Sequence, residues 1–384
     1  MAKRRPSTNK VQSESNNPIS AFVKPTQHIE SILIEQYRCF AKLSIGPFKR
    51  VNLLSGKNNV GKSSFLEALF LLLGATNINL LLNINSFRGV EVYEGNPELI
   101  QEILWNHLFN NFSQSPKINI KGNLLNGKSI SVSITPKQSN TAFASISGSA
   151  SHNELIRSTD RVINALQLRY RDENGKSHDV EMKVDEKGIS ITPPKVVSPF
   201  QGIIIPARRR TLWKEIATRY GQLEISSTEF DLISALSVIE PRLTKLTTIV
   251  GASGPMLYGD IGIGKMLPLA DMGDGLLSLM DKLLAITSVP HGIVLVDEIE
   301  NGFHYSVLEK VWAILDLASQ KYDVQIFATT HSMECIRSAH KVFSANSSYD
   351  FGFHRLEFGK ETIESVDLSQ ETLNTTLESG WEIR

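Results

Sequence analysis

The stretch GKNNVGKSS, residues Gly56 to Ser64, is the most informative part of this sequence. It matches the pattern G-x-x-x-x-G-K-[S/T] in full, with the fixed positions at Gly56, Gly61, Lys62 and Ser63. The strand-like run VNLLS precedes it, and the helix-like run SSFLEALF follows it. In such a loop successive main-chain N–H groups point at phosphate oxygens, and the helix adds its N-terminus. The stretch therefore predicts a phosphate-binding loop between a strand and a buried helix.

The residues of this loop have different predicted roles. Glycine at 56 and 61 allows turns with no Cβ in the way, Lys62 can reach the terminal phosphates of a nucleotide, and the Ser63 hydroxyl can hold Mg²⁺. The alternative is a surface turn followed by a chance Lys-Ser pair, which the strand and helix on either side disfavour. The predicted nucleotide-binding set in the loop is Gly56, Asn58, Asn59, Gly61, Lys62, Ser63 and Ser64.

A second apolar run, IVLVDE, ends in the acidic pair Asp297 and Glu298. We expect its strand to lie beside the strand that leads to the loop, so that Asp297 joins Ser63 in the Mg²⁺ shell. Glu298 can then polarise a water in line with the γ-phosphate. The alternative is an acidic pair at the end of an exposed strand. The sequence therefore predicts Ser63 and Asp297 as metal ligands and Glu298 as a catalytic residue.

A third apolar run, FATTHS, carries His331 just after its end. In open α/β sheets ligands bind at the carboxyl ends of the strands, where a neutral imidazole can sense the γ-phosphate. A structural histidine is an equally open alternative. His331 is therefore the second predicted catalytic residue.

The composition excludes a strong global field. The 384 residues contain 40 Lys and Arg and 40 Asp and Glu, so any contact with nucleic acid or membrane has to be local. The two cysteines, Cys39 and Cys335, do not have metal-ligand spacing and are expected to be reduced thiols of a cytoplasmic protein. The N-terminus lacks the apolar run of a signal peptide, and LEALFLLLG is too short to span a bilayer, so no membrane contact is expected.

The patterning along the chain divides it into five parts. Residues 1–27 are polar and rich in Pro, Ser and Asn, and are expected to be a disordered tail. Residues 28–115 form a first lobe with the phosphate-binding loop, and 116–205, with alternating strands, form an antiparallel β insertion. Residues 206–255 are expected to be a helical subdomain, and 256–384 a second lobe with a strand–helix–strand unit typical of a parallel sheet.

Three motifs in this order resemble a known family: G-x-N-N-x-G-K-S-S, L-V-D-E-I-E-N-G-F-H and T-T-H-S. They resemble the ABC-type ATPase heads of the RecF, SMC and OLD class, and most of all the stand-alone AAA-family ATPases often found in phage-defence operons. The resemblance covers about residues 30–115 and 255–384. It implies an α/β P-loop NTPase head with a mostly parallel core sheet, and it implies ATP with Mg²⁺ as ligands. The YRCF stretch resembles an early family signature that places Arg38 near the adenine.

The resemblance also implies that two heads sandwich two ATP molecules, in a homodimer or a higher even oligomer. The family's signature motif should lie in LADMGDGLLSLM, where Gly273 and Gly275 could let main-chain N–H groups approach a γ-phosphate. No serine precedes Gly273, in contrast to the pattern L-S-G-G-Q. Residues 300–304, ENGFH, stand at the position of the family's D-loop and would contact the other subunit.

These features predict an ATP-hydrolysing switch that controls a separate effector protein, a nuclease or a toxin, in anti-phage defence. The chain has no cluster typical of a built-in nuclease. One alternative is a RecF-like repair ATPase that binds duplex DNA, for which the run Arg208 to Arg210 could supply a basic patch. The run could equally be a salt-bridged junction between lobes. Another alternative is a nucleotide-gated scaffold that hydrolyses ATP weakly.

Overall fold

The computed structural model describes residues 28–89, 105–110, 117–138, 163–185, 188–192, 200–208, 211–252, 254–360 and 362–383. The predicted disordered tail, 1–27, lies outside the described residues. Part of the predicted first lobe and part of the predicted insertion lie outside them as well.

The strands of the described chain are numbered in chain order. They are β1 (Ile29–Tyr37), β2 (Phe40–Ile45), β3 (Val51–Gly56), β4 (Ile118–Leu124), β5 (Ser129–Gln138), β6 (Ile163–Arg171), β7 (Ser177–Asp185), β8 (Gly188–Ile191), β9 (Gly202–Ile205), β10 (Lys245–Gly251), β11 (Gly254–Asp260), β12 (Leu267–Pro268), β13 (Ile293–Val296), β14 (Gln325–Thr329), β15 (Phe351–Phe358) and β16 (Ile363–Leu368).

The helices are numbered in the same way. They are α1 (Lys62–Leu73), α2 (Asn79–Phe87), α3 (Trp213–Ser226), α4 (Glu229–Leu236), α5 (Asp274–Ser288), α6 (Leu308–Lys321), α7 (Met333–Ser344) and α8 (Gln370–Glu378).

A mostly parallel sheet carries the motifs found in the sequence. Its order is β16-β15-β3-β14-β13-β9, and only β16 is antiparallel to its neighbour. All residues of β3, β13 and β14 are buried, as expected for strands covered on both faces. The predicted α/β fold with a mostly parallel core sheet is thus confirmed.

The order of this sheet differs from the sequence prediction at one point. The strand that precedes Asp297, β13, is not the neighbour of β3, because β14 lies between them and pairs in parallel with both. Strand adjacency depends on the crossover connections, which local sequence does not encode. As a result, Thr329 at the end of β14 lies between the phosphate-binding loop and the acidic pair.

A second, antiparallel sheet covers the other side of α1. Its order within the described residues is β2-β1-β4-β5-β6-β7-β8, so the strands predicted as an insertion share one sheet with the first strands of the chain. Alternate residues of β4 are buried, such as Ile118 and Ile120, which is typical of a sheet with one face on a core.

Helix α1 lies between the two sheets and contacts β4 and β5 on one side and β3, β9, β13 and β14 on the other. This explains why its sequence is apolar on nearly all sides. The ring of Phe65 packs 6.1 Å from Phe48 and 6.3 Å from Phe327, measured between centroids. Each fully buried Leu or Phe of this helix stabilises the fold by about 1.5–3 kcal/mol. The helix that follows the phosphate-binding loop is therefore fixed from both sides.

The predicted boundaries differ from the observed elements at two places. Strand β9, grouped in the sequence with the insertion 116–205, pairs in parallel with β13 and belongs to the core sheet. The region 206–255, predicted as helical, contains α3 and α4 but continues into the antiparallel hairpin β10–β11. Both differences arise because pairing partners distant along the chain determine which sheet a short strand joins.

Candidate functional site

The phosphate-binding loop joins β3 to α1 and contains three residues with positive φ: Gly56 at 139°, Asn59 at 65° and Gly61 at 98°. A Cβ at Gly61 would lie 2.6 Å from Cys39 Sγ and 2.7 Å from the Phe40 ring. Glycine at 61 is thus required by both conformation and space. The Asn58 and Asn59 side chains are exposed, and Val60 between the loop ends is buried. The loop is anchored in the core while its polar residues face outwards.

Lys62, the first residue of α1, extends its side chain back over the loop. Its Nζ donates hydrogen bonds to the carbonyl oxygens of Gly56 at 2.6 Å and Lys57 at 3.1 Å. Burial lowers the pKa of Lys62 below its usual value, although the carboxylates that follow β13 oppose this shift. The ammonium therefore lies inside the loop, where it can bind phosphate oxygens.

Ser63 and Asp297 are in direct contact, although 234 residues separate them. The Ser63 hydroxyl lies 2.9 Å from Asp297 Oδ2 and 3.1 Å from Oδ1. Asp297 Oδ1 also accepts a hydrogen bond of 2.6 Å from the hydroxyl of Thr329, which is fully buried. The carboxylate is thus held at the start of α1 by a neighbour on the intervening strand.

Glu298 adopts a left-handed conformation with φ 51°. Its main-chain N–H donates to the Thr329 hydroxyl at 2.8 Å, and its carboxylate Oε2 accepts a bond of 2.8 Å from Asn301 Nδ2. The side chain remains 40% exposed, which leaves it accessible to water. The left-handed backbone interrupts the extended strand conformation at Glu298, the kind of strained residue found at functional sites.

His331 follows β14 and faces the same group of acids. Its Nδ1 lies 3.3 Å from Glu300 Oε1 and 3.9 Å from Glu298 Oε1. Its main-chain N–H donates to Glu300 Oε1 at 3.0 Å. Glu300 thus determines how His331 is placed, and the imidazole lies next to the predicted catalytic glutamate.

Arg38 and Ser64 belong to a polar cluster under α1. Arg38 Nε forms an ion pair of 2.8 Å with Glu67 Oε2, and the Arg38 side chain is only 9% exposed. Ser64 is also buried, and its hydroxyl accepts a bond of 3.2 Å from Arg88 Nη2. Arg88 Nε pairs in turn with Glu67 Oε1 at 2.8 Å. These contacts link the β1–β2 turn, α1 and the end of α2 behind the loop.

The two glycines predicted as a signature motif lie at the start of α5. Gly273 caps the helix with φ 99° and ψ 149°, and a Cβ there would meet no atom within 4 Å. Gly275 packs against the loop after β13, where a Cβ would lie 3.1 Å from Gly302 O. The start of α5 and the predicted D-loop, residues 300–304, therefore form one continuous surface.

The residues present fit a magnesium ion bound together with a nucleotide. Ser63 and Asp297 supply a hydroxyl and a carboxylate, the hard oxygen ligands that Mg²⁺ prefers. Among the described residues, no group of three or more His, Cys, Asp or Glu could hold a metal ion alone. Mg²⁺ usually takes one or two protein oxygens and completes its shell with phosphate oxygens and water. The donor set therefore suits Mg²⁺ bound to ATP.

Sequence reasoning did not identify several residues of this site. Thr329 orients both acids, Glu300 holds His331, and Asn301 binds Glu298. A signal existed for Thr329, since a threonine that ends a buried strand has to satisfy its hydroxyl at the sheet edge. Arg208, considered as part of a basic patch, is exposed after β9, whereas Arg209 and Arg210 lie outside the described residues.

The fold and the site together define a P-loop ATPase: a loop and helix start lie at the carboxyl edge of a parallel sheet, with Asp297 in contact with the loop serine and Glu298 next to it. Residues 51–337 match the family described as "AAA domain, putative AbiEii toxin, Type IV TA system". The match covers most of the chain, so the chain belongs to this family. The predicted AAA-family ATPase and the predicted ATPase activity are thereby confirmed.

One curated relative is an "ATP/GTP phosphatase" of Helicobacter pylori (strain ATCC 700392 / 26695). The two chains are 22% identical over 338 residues, which is 80% of this chain and 86% of the relative. The likeness therefore extends over most of the chain and is not limited to the phosphate-binding loop.

Similar solved structures include the Smc head bound to the C-winged helix domain of ScpA, at 12% identity with a TM-score of 0.49, over 91% of this chain and 99% of that one. The Smc head domain with an extended coiled coil bound to the C-terminal domain of ScpA, derived from Pyrococcus furiosus, has 11% identity and a TM-score of 0.46, over 92% and 99%. The SMC head domain from Thermotoga maritima is 10% identical to this chain with a TM-score of 0.41, over 89% of this chain and 99% of that one. These scores below 0.5 define neither a partner nor a ligand for this chain.

Of the helices in the described residues, none combines the length and the apolar character that crossing a membrane requires.

Proposed function

We propose that the chain is a nucleotide switch: two copies bind ATP with Mg²⁺ between their heads, and hydrolysis lets the heads separate. The state of the dimer controls a separately encoded effector, a nuclease or a toxin, in defence against phage. The observation that carries the proposal is the contact between Ser63 and Asp297, with Glu298 and His331 beside it. This contact joins the phosphate-binding loop to the acidic pair within one copy of the chain, as hydrolysis would require.

Each residue has a role in this reaction. The loop amides and Lys62 bind the phosphates. Ser63 and Asp297 would hold Mg²⁺, which would neutralise phosphate charge when bound. Glu298 accepts a proton from the attacking water as the water oxygen bonds to the γ-phosphorus. The bond between the γ-phosphorus and the bridging oxygen breaks, and the products are ADP and inorganic phosphate. His331 senses the γ-phosphate from the adjacent strand end.

Dimerisation is supported by the surface formed by the start of α5 and the D-loop. Gly273 is exposed at the N-terminus of α5, where main-chain N–H groups favour an anionic ligand. Tyr305, just after the D-loop, is 66% exposed, and its ring lies 4.3 Å from that of His304 between centroids, tilted by 39°. An exposed aromatic pair beside a helix start suits contact with the ATP-bound face of a second copy.

Replacement of Glu298 by glutamine tests the switch. The variant should bind ATP as the parent does, turn over at least about 100-fold more slowly, and accumulate as a dimer with ATP. Light scattering after size exclusion measures the mass with ATP and with ADP. The exposed Glu371 on α8 provides the control Glu371→Gln, which should behave as the parent. Parent turnover in Glu298→Gln would contradict the role of Glu298, and a monomer with ATP would contradict the switch.

The effector requires a separate experiment. A strain that carries the gene with its neighbours should lose protection against phage when Glu298 is replaced, and the control Glu371→Gln should keep protection. Unchanged protection would contradict control of an effector by hydrolysis. Salt-sensitive binding of duplex DNA only in the presence of ATP would instead favour the repair alternative.

A further inference from the structure

Helix α5 buries a lysine beside the D-loop. Lys282 is only 4% exposed, and its Nζ donates to Ser278 Oγ at 2.6 Å and to Ser278 O at 3.4 Å. The ammonium also lies 5.0 Å from the centre of the Phe303 ring. Burying a lysine without an ion pair is costly. Packing alone therefore does not explain why a lysine ammonium is buried at position 282.

The hydroxyl of Ser278 connects this lysine to the loop that carries Glu298. Ser278 Oγ donates to the main-chain oxygen of Asn301 at 2.7 Å. An ammonium can only donate, so Ser278 Oγ has to accept from Lys282, and its single proton is directed at Asn301. The lysine thus determines the direction of the hydroxyl.

Asn301 in turn holds Glu298 in two ways. Its main-chain N–H donates to Glu298 O at 3.0 Å, and its side-chain Nδ2 donates to Glu298 Oε2 at 2.8 Å. The Glu298 carboxylate therefore depends on the position of Asn301, which depends on Ser278 and Lys282. Helix α5 itself begins after Gly273, where the second copy's nucleotide is expected.

We propose that Lys282 and Ser278 are positioning residues for hydrolysis, which orient the Glu298 carboxylate through Asn301 and couple it to the start of α5. The proposal rests on the proposed role of Glu298 as the proton acceptor. A displacement of α5 on contact with a second head moves the Asn301 carbonyl and hence the carboxylate. Hydrolysis is thereby faster in the closed dimer than in a single head.

The first test is the turnover of the full chain with Ser278→Ala. Loss of the hydroxyl should lower kcat for ATP by about tenfold or more, because small displacements of a reacting group have large effects. The KM should stay within about twofold, since no contact with ATP is removed. Lys282→Met should lower kcat to a similar extent. If Lys282→Met does not fold, Ser278→Ala alone decides.

The matched control is Ser288→Ala near the end of the same helix. Its hydroxyl donates to Leu284 O at 2.6 Å and has no link to the D-loop. This variant should keep the parent kcat and KM. A general weakening of α5 would lower kcat in both serine variants, which would overturn the proposal.

A double-mutant cycle separates positioning from a merely structural role. With glutamine at position 298, the change Ser278→Ala should lower the residual turnover by less than about twofold, because its target has been removed. A full additional loss in this background, or parent kcat for Ser278→Ala alone, would overturn the proposal. If Glu298→Gln alone keeps the parent rate, Glu298 is not the proton acceptor. The positioning role of Lys282 and Ser278 is then contradicted as well, because it depends on Glu298.

Discussion

The two sheets on either side of α1 differ in what lies at the ends of their strands. In the parallel sheet the carboxyl ends of β3, β13 and β14 carry the phosphate-binding loop, the acidic pair and Thr329 with His331. In the described part of the antiparallel sheet, polar side chains on the outer face pair with one another, as Arg169 does with Asp179 at 2.8 Å. Of the predicted site residues, only Arg38 belongs to this sheet region, and it is buried in an ion pair.

Helix α1 contacts both sheets, but the two sheets contribute different things to the site. A parallel sheet is covered on both faces, and the carboxyl ends of its parallel strands all lie at one edge, where the loop, the acids and His331 meet. The antiparallel sheet contributes an apolar face that holds α1 in place. Substitutions in the two sheets should therefore separate effects on ATP turnover from effects on the free energy of unfolding.

The largest expected effect concerns the parallel edge. Lys62→Ala removes the ammonium that lies within the loop and should lower kcat/KM for ATP by about 10²- to 10³-fold. The control is Lys310→Ala, since Lys310 is exposed on α6 away from the loop, and it should keep the parent value. A steady-state assay of released phosphate measures both. Equal values of kcat/KM for Lys62→Ala and Lys310→Ala would contradict a role for Lys62 in binding the phosphates.

The next effect compares the two sheets directly with a matched pair of buried isoleucines. Ile120→Ala in β4 and Ile326→Ala in β14 should each lower the free energy of unfolding by about 2–5 kcal/mol. Only Ile326→Ala should also lower the turnover of the folded protein, because β14 carries Thr329. Urea unfolding and phosphate release, corrected for the folded fraction, measure these values. A loss of turnover in Ile120→Ala would show that the antiparallel sheet does more than support α1.

A smaller effect is expected for the threonine between the loop and the acids. Thr329→Val keeps the shape but leaves Asp297 and the main-chain N–H of Glu298 without this partner. The variant should lose about 1–3 kcal/mol of stability and about tenfold in kcat. Thr287→Val, whose hydroxyl bonds to Leu284 O, is the control and should keep the parent kcat. A parent kcat in Thr329→Val would show that the acids hold their positions without it.

The smallest effect is the pH dependence that comes from Lys282. Burial lowers its pKa from an ordinary 10.5 to about 8, although Asp281 and Glu300 oppose the shift. Between these values the unfolded chain binds a proton that the folded chain does not, so stability rises with pH. From pH 7.5 to 9 the parent should gain about 1 kcal/mol relative to Lys282→Met. Urea unfolding at both pH values measures this, and parallel curves would contradict a lowered pKa.

The sequence predicted the parts of this site that are local. The loop pattern, its two glycines and the acidic pair each lie within one short stretch, and their flanking elements formed as predicted. The same reasoning placed β13 next to β3, which is wrong, because strand order depends on connections of many residues. The site residues themselves lie where their strands end, and their roles remain proposals.

Contacts between distant stretches were not predictable. Glu67 looked like part of a buried helix, and its ion pairs with Arg38 and Arg88 depend on how α1 packs on the β1–β2 turn and α2. Ser278 and Lys282 occupy ordinary positions of an amphipathic helix in the sequence. Their link to Asn301 depends on α5 lying against residues 300–304, the predicted D-loop. No spacing in the chain indicates such a contact.

The proposed nucleotide site can be checked in a crystal structure of the Glu298→Gln protein with ATP and Mg²⁺. We expect the triphosphate to lie in the loop 56–64, with residue 298 facing the γ-phosphate. Mg²⁺ should lie about 2.1 Å from both Ser63 Oγ and an Asp297 oxygen. Nucleotide bound elsewhere, or a metal ion that touches neither residue, would contradict it.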